Sequence, residues 1–260
     1  MILVFDVGNT ETTAGLFDGT ELRKQWRLTT QQERTADEVE LLIRSLLGMA
    51  DVALGAVHGV AICSVVPGVT PWLVAACGRA FGVEPLVVDA RTDLPITLDV
   101  DEPRTVGADR LVNTLAASHI HKRDCIVVDL GTATTYDCIT RDGVFLGGII
   151  APGVRTSAET LFKRTSKLPA TELVAPERLI GRRTEECIRA GVIYGSAEAI
   201  DGLVRRLKAE WPGSEEPLVV ATGGLAEKLG VYCTSFDRIE PGLTLEGLRL
   251  AHELLREPAV

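Results

Sequence analysis

The chain has 260 residues, of which 46% are hydrophobic, and this suffices for one large domain or for two. Its formal net charge of −9 at pH 7 provides no basic surface, so general binding to nucleic acids or anionic membranes is disfavoured and a small-molecule site is favoured. The apolar start ends at Asp6, far short of a signal sequence, and no later apolar run approaches the length of a membrane span. We therefore expect a cytoplasmic protein.

The first half begins with a predicted meander of three strands, "ILVFDV", "TTAGLFDG" and "ELRKQWRLTT". A capping-box pattern at Thr35 and Glu38 then predicts the start of a helix over "VELLIRSLLGM". The strand "GVAICSVV", the helix "TPWLVAACGRAFG" and the strand "PLVVDA" continue the alternation. The segment from Arg91 to Thr105 is rich in proline and acidic residues and has no period, so we interpret it as a functional loop.

The second half repeats this order. The segments "CIVVDLG", "TATTYDCIT" and "GVFLGGIIAPG" again predict strand, turn, strand, turn, strand. Helices are predicted from about Ser157 to Lys167 and from Thr184 to Trp211, before the strand "PLVVATGG" and the helix "LTLEGLRLAHELL". We interpret the repeat as an internal duplication of two α/β lobes, an N-terminal lobe over residues 1–115 and a C-terminal lobe over residues 116–260.

The six cysteines lie far apart in apolar settings, with no C-x-x-C pair and no paired histidines nearby. This pattern favours reduced, buried thiols over a zinc site or a disulfide framework. The residues are Cys63, Cys77, Cys125, Cys138, Cys187 and Cys233.

Two equivalent turns, opened by Asp6 and by Asp129, have the composition of phosphate sites. Glycine and small hydroxyl residues between two strands expose successive backbone N–H groups, which form a concave nest for phosphate oxygens. An aspartate at the strand end would repel phosphate unless a cation lay between them, so the motif implies a metal such as Mg²⁺. A single copy is better explained as ordinary turn chemistry, whereas two copies at equivalent places favour two turns that grip one nucleotide.

The stretch "VVATGGL" leads from a strand into a glycine pair. Glycines there would let a nucleotide base and ribose lie against the backbone, although a plain helix start explains the pair equally well. Signatures of other nucleotide-binding and hydrolytic folds are missing from the sequence, namely G-x-x-x-x-G-K-[ST], G-x-G-x-x-G after the first strand, G-x-S-x-G and H-E-x-x-H.

The order of motifs resembles the superfamily of acetate and sugar kinases, heat-shock ATPases and actin. The chain is similar along nearly its whole length to type III pantothenate kinases, through "DVGNT", "RTADE", "CSVVPG", "VGADRLVN", "DLGTATTYD", "GGIIAPGV", "KLP", "IGRRTEE" and "ATGGLA". The resemblance implies an α/β fold of two duplicated ribonuclease H-like (actin-like ATPase) lobes, each a mixed sheet flanked by helices. It also implies ATP- and Mg²⁺-dependent phosphorylation of pantothenate to 4′-phosphopantothenate, the first step of coenzyme A biosynthesis, in a homodimer that needs K⁺ or NH₄⁺.

The resemblance also implies roles for individual residues. The first turn would bind ATP phosphate, as would Thr132, and Asp129 would hold the monovalent cation. A segment that includes Asp109 as the catalytic base would contact pantothenate, and Thr184 matches a pantothenate-binding threonine. The first turn consists of Asp6, Val7, Gly8, Asn9, Thr10, Glu11, Thr12 and Thr13. The substrate segment consists of Gly107, Ala108, Asp109 and Arg110.

The chain departs from the family pattern at two places. Glu11 stands where family members often carry a neutral residue, and "ITLDVDEP" lacks the tyrosine that many members place in the substrate loop. Both departures leave the reaction intact but bear on the geometry of the substrate loop and on affinity.

The substrate residues also have simpler interpretations. Asp109 follows a glycine at an expected loop-to-helix junction, and with an ordinary pKa of about 3.9 it would be ionised at pH 7 and able to take the hydroxyl proton late in transfer. Its alternative role is a charge favourable to the helix N-terminus. Arg110 could reach the substrate carboxylate or be a solvated arginine, and Thr184 could instead cap the long helix.

Three functions therefore remain open. They are a pantothenate kinase, another small-molecule kinase of the superfamily such as a sugar or N-acetylhexosamine kinase, and a non-catalytic nucleotide-dependent regulator or filament protein. The motif series favours the first. The small residues of the long helix, among them Gly191, Gly195 and Gly202, predict a dimer seam at which Thr184 completes the site that holds Asp109 of the other subunit.

Overall fold

The computed structural model describes residues 1–31 and 33–256, which form two compact units. Unit 1 comprises residues 1–119 and the C-terminal segment from Leu243, and unit 2 comprises residues 120–242. The elements up to the third α-helix are β1 (Ile2–Val7), β2 (Glu11–Asp18), β3 (Glu21–Thr29), α1 (Ala36–Met49), a 3₁₀ helix (Leu54–Ala56), β4 (Gly59–Ser64), α2 (Thr70–Phe81), β5 (Leu86–Val88), β6 (Thr97–Leu98), a second 3₁₀ helix (Pro103–Thr105) and α3 (Ala108–His121). They are followed by β7 (Cys125–Leu130), β8 (Ala133–Ile139), β9 (Val144–Pro152), α4 (Val154–Arg164), α5 (Thr184–Ala209), β10 (Leu218–Thr222), α6 (Ala226–Gly230), β11 (Arg238–Ile239) and α7 (Leu243–Arg256).

The sheet of unit 1 has the strand order β3-β2-β1-β4-β5. The meander β1–β2–β3 is antiparallel, and β4 and β5 continue the sheet in parallel with β1. Because side chains alternate along a strand, Leu3 and Phe5 of β1 pack among residues of α1 and α2, whereas Ile2 and Val4 pack among residues of α3 and α7. The sheet is therefore covered by helices on both faces, with the polar end of β1 left at its carboxyl edge.

Unit 2 repeats this strand arrangement. Its strands follow the order β9-β8-β7-β10-β11, in which β7 is antiparallel to β8 and parallel to β10. The equivalent relations in unit 1 are those of β1 with β2 and with β4. The predicted fold class, two duplicated mixed sheets flanked by helices, is confirmed.

One predicted helix start is confirmed, whereas three other helix ends differ from the prediction. The capping box is confirmed, since the Thr35 hydroxyl accepts the Glu38 N–H at 3.3 Å and the Thr35 N–H donates to the Glu38 carboxylate at 2.7 Å. The helix predicted from Ser157 begins already at Val154, directly after β9, and it ends at Arg164 rather than at Lys167. The long helix α5 ends at Ala209 rather than at Trp211.

The C-terminal helix α7 is the main difference in domain organisation. We expected it in the lobe over residues 116–260, but it belongs to unit 1, where it packs on β1 and β4. Its buried face includes Leu245 and Leu248, which join the core on the α3 side of the sheet. Gly247 lies so close to the backbone of Val112 in α3 that any side chain there would overlap it. An amphipathic pattern predicts such a helix but not the sheet on which it packs.

The cysteines are all free, as predicted, although only four of the six are buried, because Cys187 is exposed and Cys233 is partly exposed. Within residues 1–31 and 33–256, no helix is both long and apolar enough to cross a membrane.

Candidate active site

The first turn connects β1 and β2 at the carboxyl end of β1. The Gly8 N–H donates to the Glu11 carbonyl at 3.0 Å, and a Cβ on Gly8 would lie only 2.9 Å from the same oxygen. Val7 and Thr12 are buried and anchor the turn, whereas Asn9 and Thr10 are exposed at its tip. The turn therefore presents backbone and short polar side chains to solvent, as a nest for phosphate oxygens requires.

Thr30 braces this turn from the end of β3, a role that the sequence did not predict. Its hydroxyl donates to the Gly8 carbonyl at 2.7 Å and lies 2.9 Å from the Thr12 hydroxyl. Its N–H donates to the Thr10 carbonyl at 3.0 Å. From the sequence, Thr30 was recognisable only as the last residue of the predicted third strand.

Glu11, the first departure from the family pattern, lies opposite Thr29 of β3 and forms a diagonal ion pair with Arg27. The Arg27 Nε and the Glu11 carboxylate are 3.9 Å apart, and both side chains are largely exposed. Such a surface pair contributes little stability. The Arg27 guanidinium nevertheless offsets the negative charge that Glu11 adds beside a predicted phosphate site.

The side chains of Asp6 and Cys63 meet across the parallel pairing of β1 and β4. The Cys63 thiol donates to the Asp6 carboxylate over 3.4 Å from Sγ to Oδ1. Cys63 has no exposed surface, and the pKa of its thiol is raised well above the usual value, first by burial and then by the negative charges of Asp6 and Asp109. The thiol therefore stays protonated.

Asp109 is the second residue of α3, at the loop-to-helix junction that the sequence predicted. Its carboxylate accepts the Arg110 N–H at 2.9 Å, and a Cβ on Gly107 would lie 2.5 Å from the same carboxylate oxygen. Burial raises the pKa of Asp109 above its usual value, although the N–H and the charge of Arg110 oppose this rise. The expectation of an ordinary pKa is therefore wrong, because it ignored the burial of the side chain.

Unit 1 thus brings three acidic or thiol groups together, since the charges of Asp6 and Asp109 both act on Cys63. Among the substrate residues, Ala108 is buried, and Gly107 and Arg110 are half-buried. A carboxylate with a raised pKa beside a phosphate-type turn is the arrangement expected of a general base in phosphoryl transfer.

The second turn connects β7 and β8 in unit 2. The Gly131 N–H donates to the Ala133 carbonyl at 3.0 Å, and Thr132 is exposed. The Thr132 carbonyl accepts the Gly153 N–H at 3.2 Å and the Thr156 hydroxyl at 2.7 Å, so the start of α4 holds the turn. As at the first turn, the backbone is fixed and a short hydroxyl side chain remains exposed.

Asp129 lies at the end of β7, and Thr222 is its partner on β10. Gly223 follows with a φ of +89°, and a Cβ there would overlap the Asp129 carboxylate and lie 2.7 Å from the Leu130 nitrogen. The close approach to the second turn therefore explains why residue 223 is a glycine. The sequence alone suggests a different reason, that a nucleotide base and ribose would lie against the backbone there. The Thr222 side chain is fully buried, and its hydroxyl has no hydrogen-bond partner among the described residues.

The Asp129 carboxylate and the Thr222 hydroxyl offer oxygen ligands, which suit a hard cation. Within residues 1–31 and 33–256, no group of three or more His, Cys, Asp or Glu side chains could hold a metal ion. A cation at Asp129 would therefore take its remaining ligands from hydroxyl and carbonyl oxygens or from other molecules.

Thr184 is the first residue of α5 and is exposed. The capping residue is Arg183, which makes no side-chain capping bond, so the alternative role of Thr184 as the helix cap is wrong. Farther along α5, Gly191 and Gly195 line a groove of about 570 Å³ together with Leu179 and Tyr194. Thr184 and Asp109 belong to different units of the chain.

Comparisons with known proteins agree on one family. A family model described as type III pantothenate kinase matches residues 2–206. A type III pantothenate kinase of Moorella thermoacetica is 44% identical over 255 residues, covering 97% of this chain and 99% of the relative. One of Geobacter sulfurreducens is 42% identical over 257 residues, covering 99% of this chain and all of the relative.

The fold is shared more widely. The crystal structure of a ROK hexokinase from Thermus thermophilus superposes with a TM-score of 0.51 at 16% identity, covering 98% of this chain and 99% of that chain. This likeness supports the duplicated kinase fold alone. The match of the family model and the high identity of full-length relatives show the family, and this chain belongs to the type III pantothenate kinases.

Proposed function

We propose that this chain transfers the γ-phosphoryl group of ATP to the 4′-hydroxyl of pantothenate, with Asp109 as the general base. Membership of the family makes the chain a kinase of the first step of coenzyme A biosynthesis. The observation that carries the assignment of the base is the half-buried carboxylate of Asp109 at the start of α3, which has a raised pKa and lies near the end of β1 where the first turn begins.

In the proposed reaction, the pantothenate hydroxyl oxygen forms a bond to the γ-phosphorus as the bond from that phosphorus to the β,γ-bridging oxygen breaks. The hydroxyl proton passes to Asp109, and ADP leaves. The transition state of such transfers is loose and anionic, so the protein mainly aligns the hydroxyl and stabilises the spreading charge. A raised pKa suits Asp109 to this role because it makes the carboxylate a better proton acceptor.

The proposed phosphate contacts come from both turns. In the first turn, the braced backbone after Gly8 supplies N–H groups, and Thr12 and Thr13 fix its return into β2. In the second turn, the exposed Thr132 is the proposed phosphate ligand. Kinases of this family use ATP with a divalent metal, and Asp6 at the end of β1 is suited to face that metal.

A monovalent cation at Asp129 belongs to the same proposal. The site suits K⁺ or NH₄⁺ because a carboxylate and a buried threonine hydroxyl, that of Thr222, stand on neighbouring strands. The predicted phosphate ligands of this turn include no lysine or arginine side chain. A cation at Asp129 would supply the positive charge that the turn lacks.

We also propose a homodimer formed along α5, with pantothenate bound by Gly107, Arg110 and the Thr184 of the other subunit. The groove along α5 supports this proposal, because the glycines in it permit close approach of a second helix and the exposed Leu179 adds apolar surface. A cytoplasmic location belongs to the proposal as well, since the reaction consumes ATP.

The experiment that tests the function is a competition among acceptors. The purified protein is incubated with ATP, Mg²⁺, K⁺ and an equimolar mixture of pantothenate, glucose and N-acetylglucosamine, and the products are identified by mass. We expect one added phosphate, on pantothenate. Phosphorylation of a sugar with pantothenate untouched would favour another small-molecule kinase of the superfamily. No turnover at all would favour a non-catalytic nucleotide-dependent regulator or filament protein.

A further inference from the structure

We propose that Cys63 is a positioning residue, whose thiol holds the Asp6 carboxylate in the orientation that the first turn needs to receive ATP phosphate and its metal. The inference rests on the proposed function of the first turn. Its basis is the contact between the Cys63 Sγ and the Asp6 Oδ1 at 3.4 Å, across strands whose residues are paired in register.

The thiol acts as a permanent donor at this position. Sulfur is a weak hydrogen-bond donor, but Cys63 has no exposed surface, so water does not compete for its hydrogen. The thiol therefore orients the Asp6 carboxylate from the neighbouring strand.

The duplicated half of the chain supports a role for this position beyond packing. The residue of β10 that pairs with Asp129 is Thr222, just as the residue of β4 that pairs with Asp6 is Cys63. Both are completely buried, and both carry a polar hydrogen. Each half therefore places a small neutral side chain on the strand beside its aspartate, but only Cys63 donates to it, since the Thr222 hydroxyl has no hydrogen-bond partner among the described residues.

The thiol also lies near the proposed substrate segment, because Cys63 and Ala108 belong to the same core cluster. Removing the donor removes one of the contacts that orient the Asp6 carboxylate. The effect should therefore fall on the binding of the metal–ATP complex, while the binding of pantothenate should change little.

The kinetic test compares Cys63→Ala and Cys63→Ser with the control Cys77→Ala. Cys77 is also fully buried in unit 1, but burial alone raises the pKa of its thiol. We expect C63A to raise the KM for ATP and the Mg²⁺ concentration at half-maximal rate by roughly three- to tenfold, as for loss of an ordinary hydrogen bond, because the thiol is a weak donor. The KM for pantothenate should stay within twofold, and C63S should recover most of the loss because a hydroxyl also donates.

A spectroscopic test needs no turnover and also serves if C63A folds poorly. The S–H stretching band of Cys63 is assigned by its disappearance in C63S. Replacement of the acceptor, in Asp6→Ala, should shift that band to higher frequency, because hydrogen bonding lowers it.

Three outcomes would overturn the inference: a wild-type KM for ATP in C63A, an equal rise in the C77A control, or an S–H band that does not move in D6A. These results differ from failure of the proposed function. If the wild-type protein produces no phosphopantothenate, the function itself is wrong, whereas a fully active wild type with unaffected C63A refutes only the role of Cys63.

Discussion

Replacement of Asp109 by asparagine tests whether its carboxylate acts in catalysis or only stabilises the start of α3. The asparagine oxygen can still accept the Arg110 N–H that Asp109 now accepts at 2.9 Å, so the local structure should persist. Loss of the general base should lower kcat by roughly 10²- to 10⁴-fold, which corresponds to about 3–5 kcal/mol of transition-state stabilisation.

The stability of Asp109→Asn should also show which role the carboxylate has, because the two roles predict changes of opposite sign. A favourable charge at a helix N-terminus contributes roughly 0.3–1 kcal/mol, so its removal would lower the melting temperature. Burial, however, raises the pKa of Asp109 in the folded state, so ionisation destabilises the fold. This penalty is absent below the unfolded pKa and grows as the pH rises through the folded pKa.

We therefore expect Asp109→Asn to melt no lower than the wild type at pH 7, with a smaller advantage near pH 4. The assay combines thermal unfolding at both pH values with steady-state kinetics from pH 5 to 8. In the wild type, kcat/KM should fall with decreasing pH through a pKa above the usual 3.8 of an aspartate. A variant with near wild-type kcat and a lowered melting temperature would refute the reasoning and return Asp109 to a structural role.

Three further predictions concern unit 2 and the subunit interface. Replacing K⁺ by Na⁺ at equal ionic strength should lower kcat severalfold if the site proposed at Asp129 is one for K⁺ or NH₄⁺; equal rates would count against such a site. Gly82→Ala meets open space at a φ of +69° and should cost about 1–2 kcal/mol in unfolding free energy for its left-handed backbone, whereas Gly223→Ala, whose Cβ also overlaps the Asp129 carboxylate, should cost more and reduce activation by K⁺. Equal melting temperatures for these two variants would contradict the close approach of Gly223 to Asp129. Mixing inactive Asp109→Asn and Thr184→Val homodimers under conditions of subunit exchange should restore roughly a quarter of the wild-type activity, because each mixed dimer has one intact composite site; proven exchange without recovery would show that Thr184 acts within its own chain.

Much of the fold was predictable because its signals are local. The strands of both meanders follow from alternating or continuous apolar runs, and the start of α1 follows from the capping box at Thr35. The duplication was recognisable because the aspartate, glycine and threonine of each turn recur at the same place after the strand. The position of α7 was not predictable, since its apolar face could cover either sheet.

The site was predictable as a set of residues but not as a set of contacts. The bond between Cys63 and Asp6 depends on the register of two parallel strands that are 57 residues apart, which no local pattern encodes. The brace that Thr30 provides depends likewise on a contact across the sheet. The raised pKa of Asp109 depends on burial, which only the packed structure determines.

The central claim is that the primary 4′-hydroxyl of pantothenate gains the phosphate of ATP. The most direct measurement is the proton-coupled ³¹P NMR spectrum of the product formed by the wild-type protein from ATP and pantothenate. A phosphate ester of the primary hydroxyl is split into a triplet by the two neighbouring methylene protons, and we predict this signal. A doublet, from the secondary hydroxyl, or the appearance of inorganic phosphate alone would contradict the account.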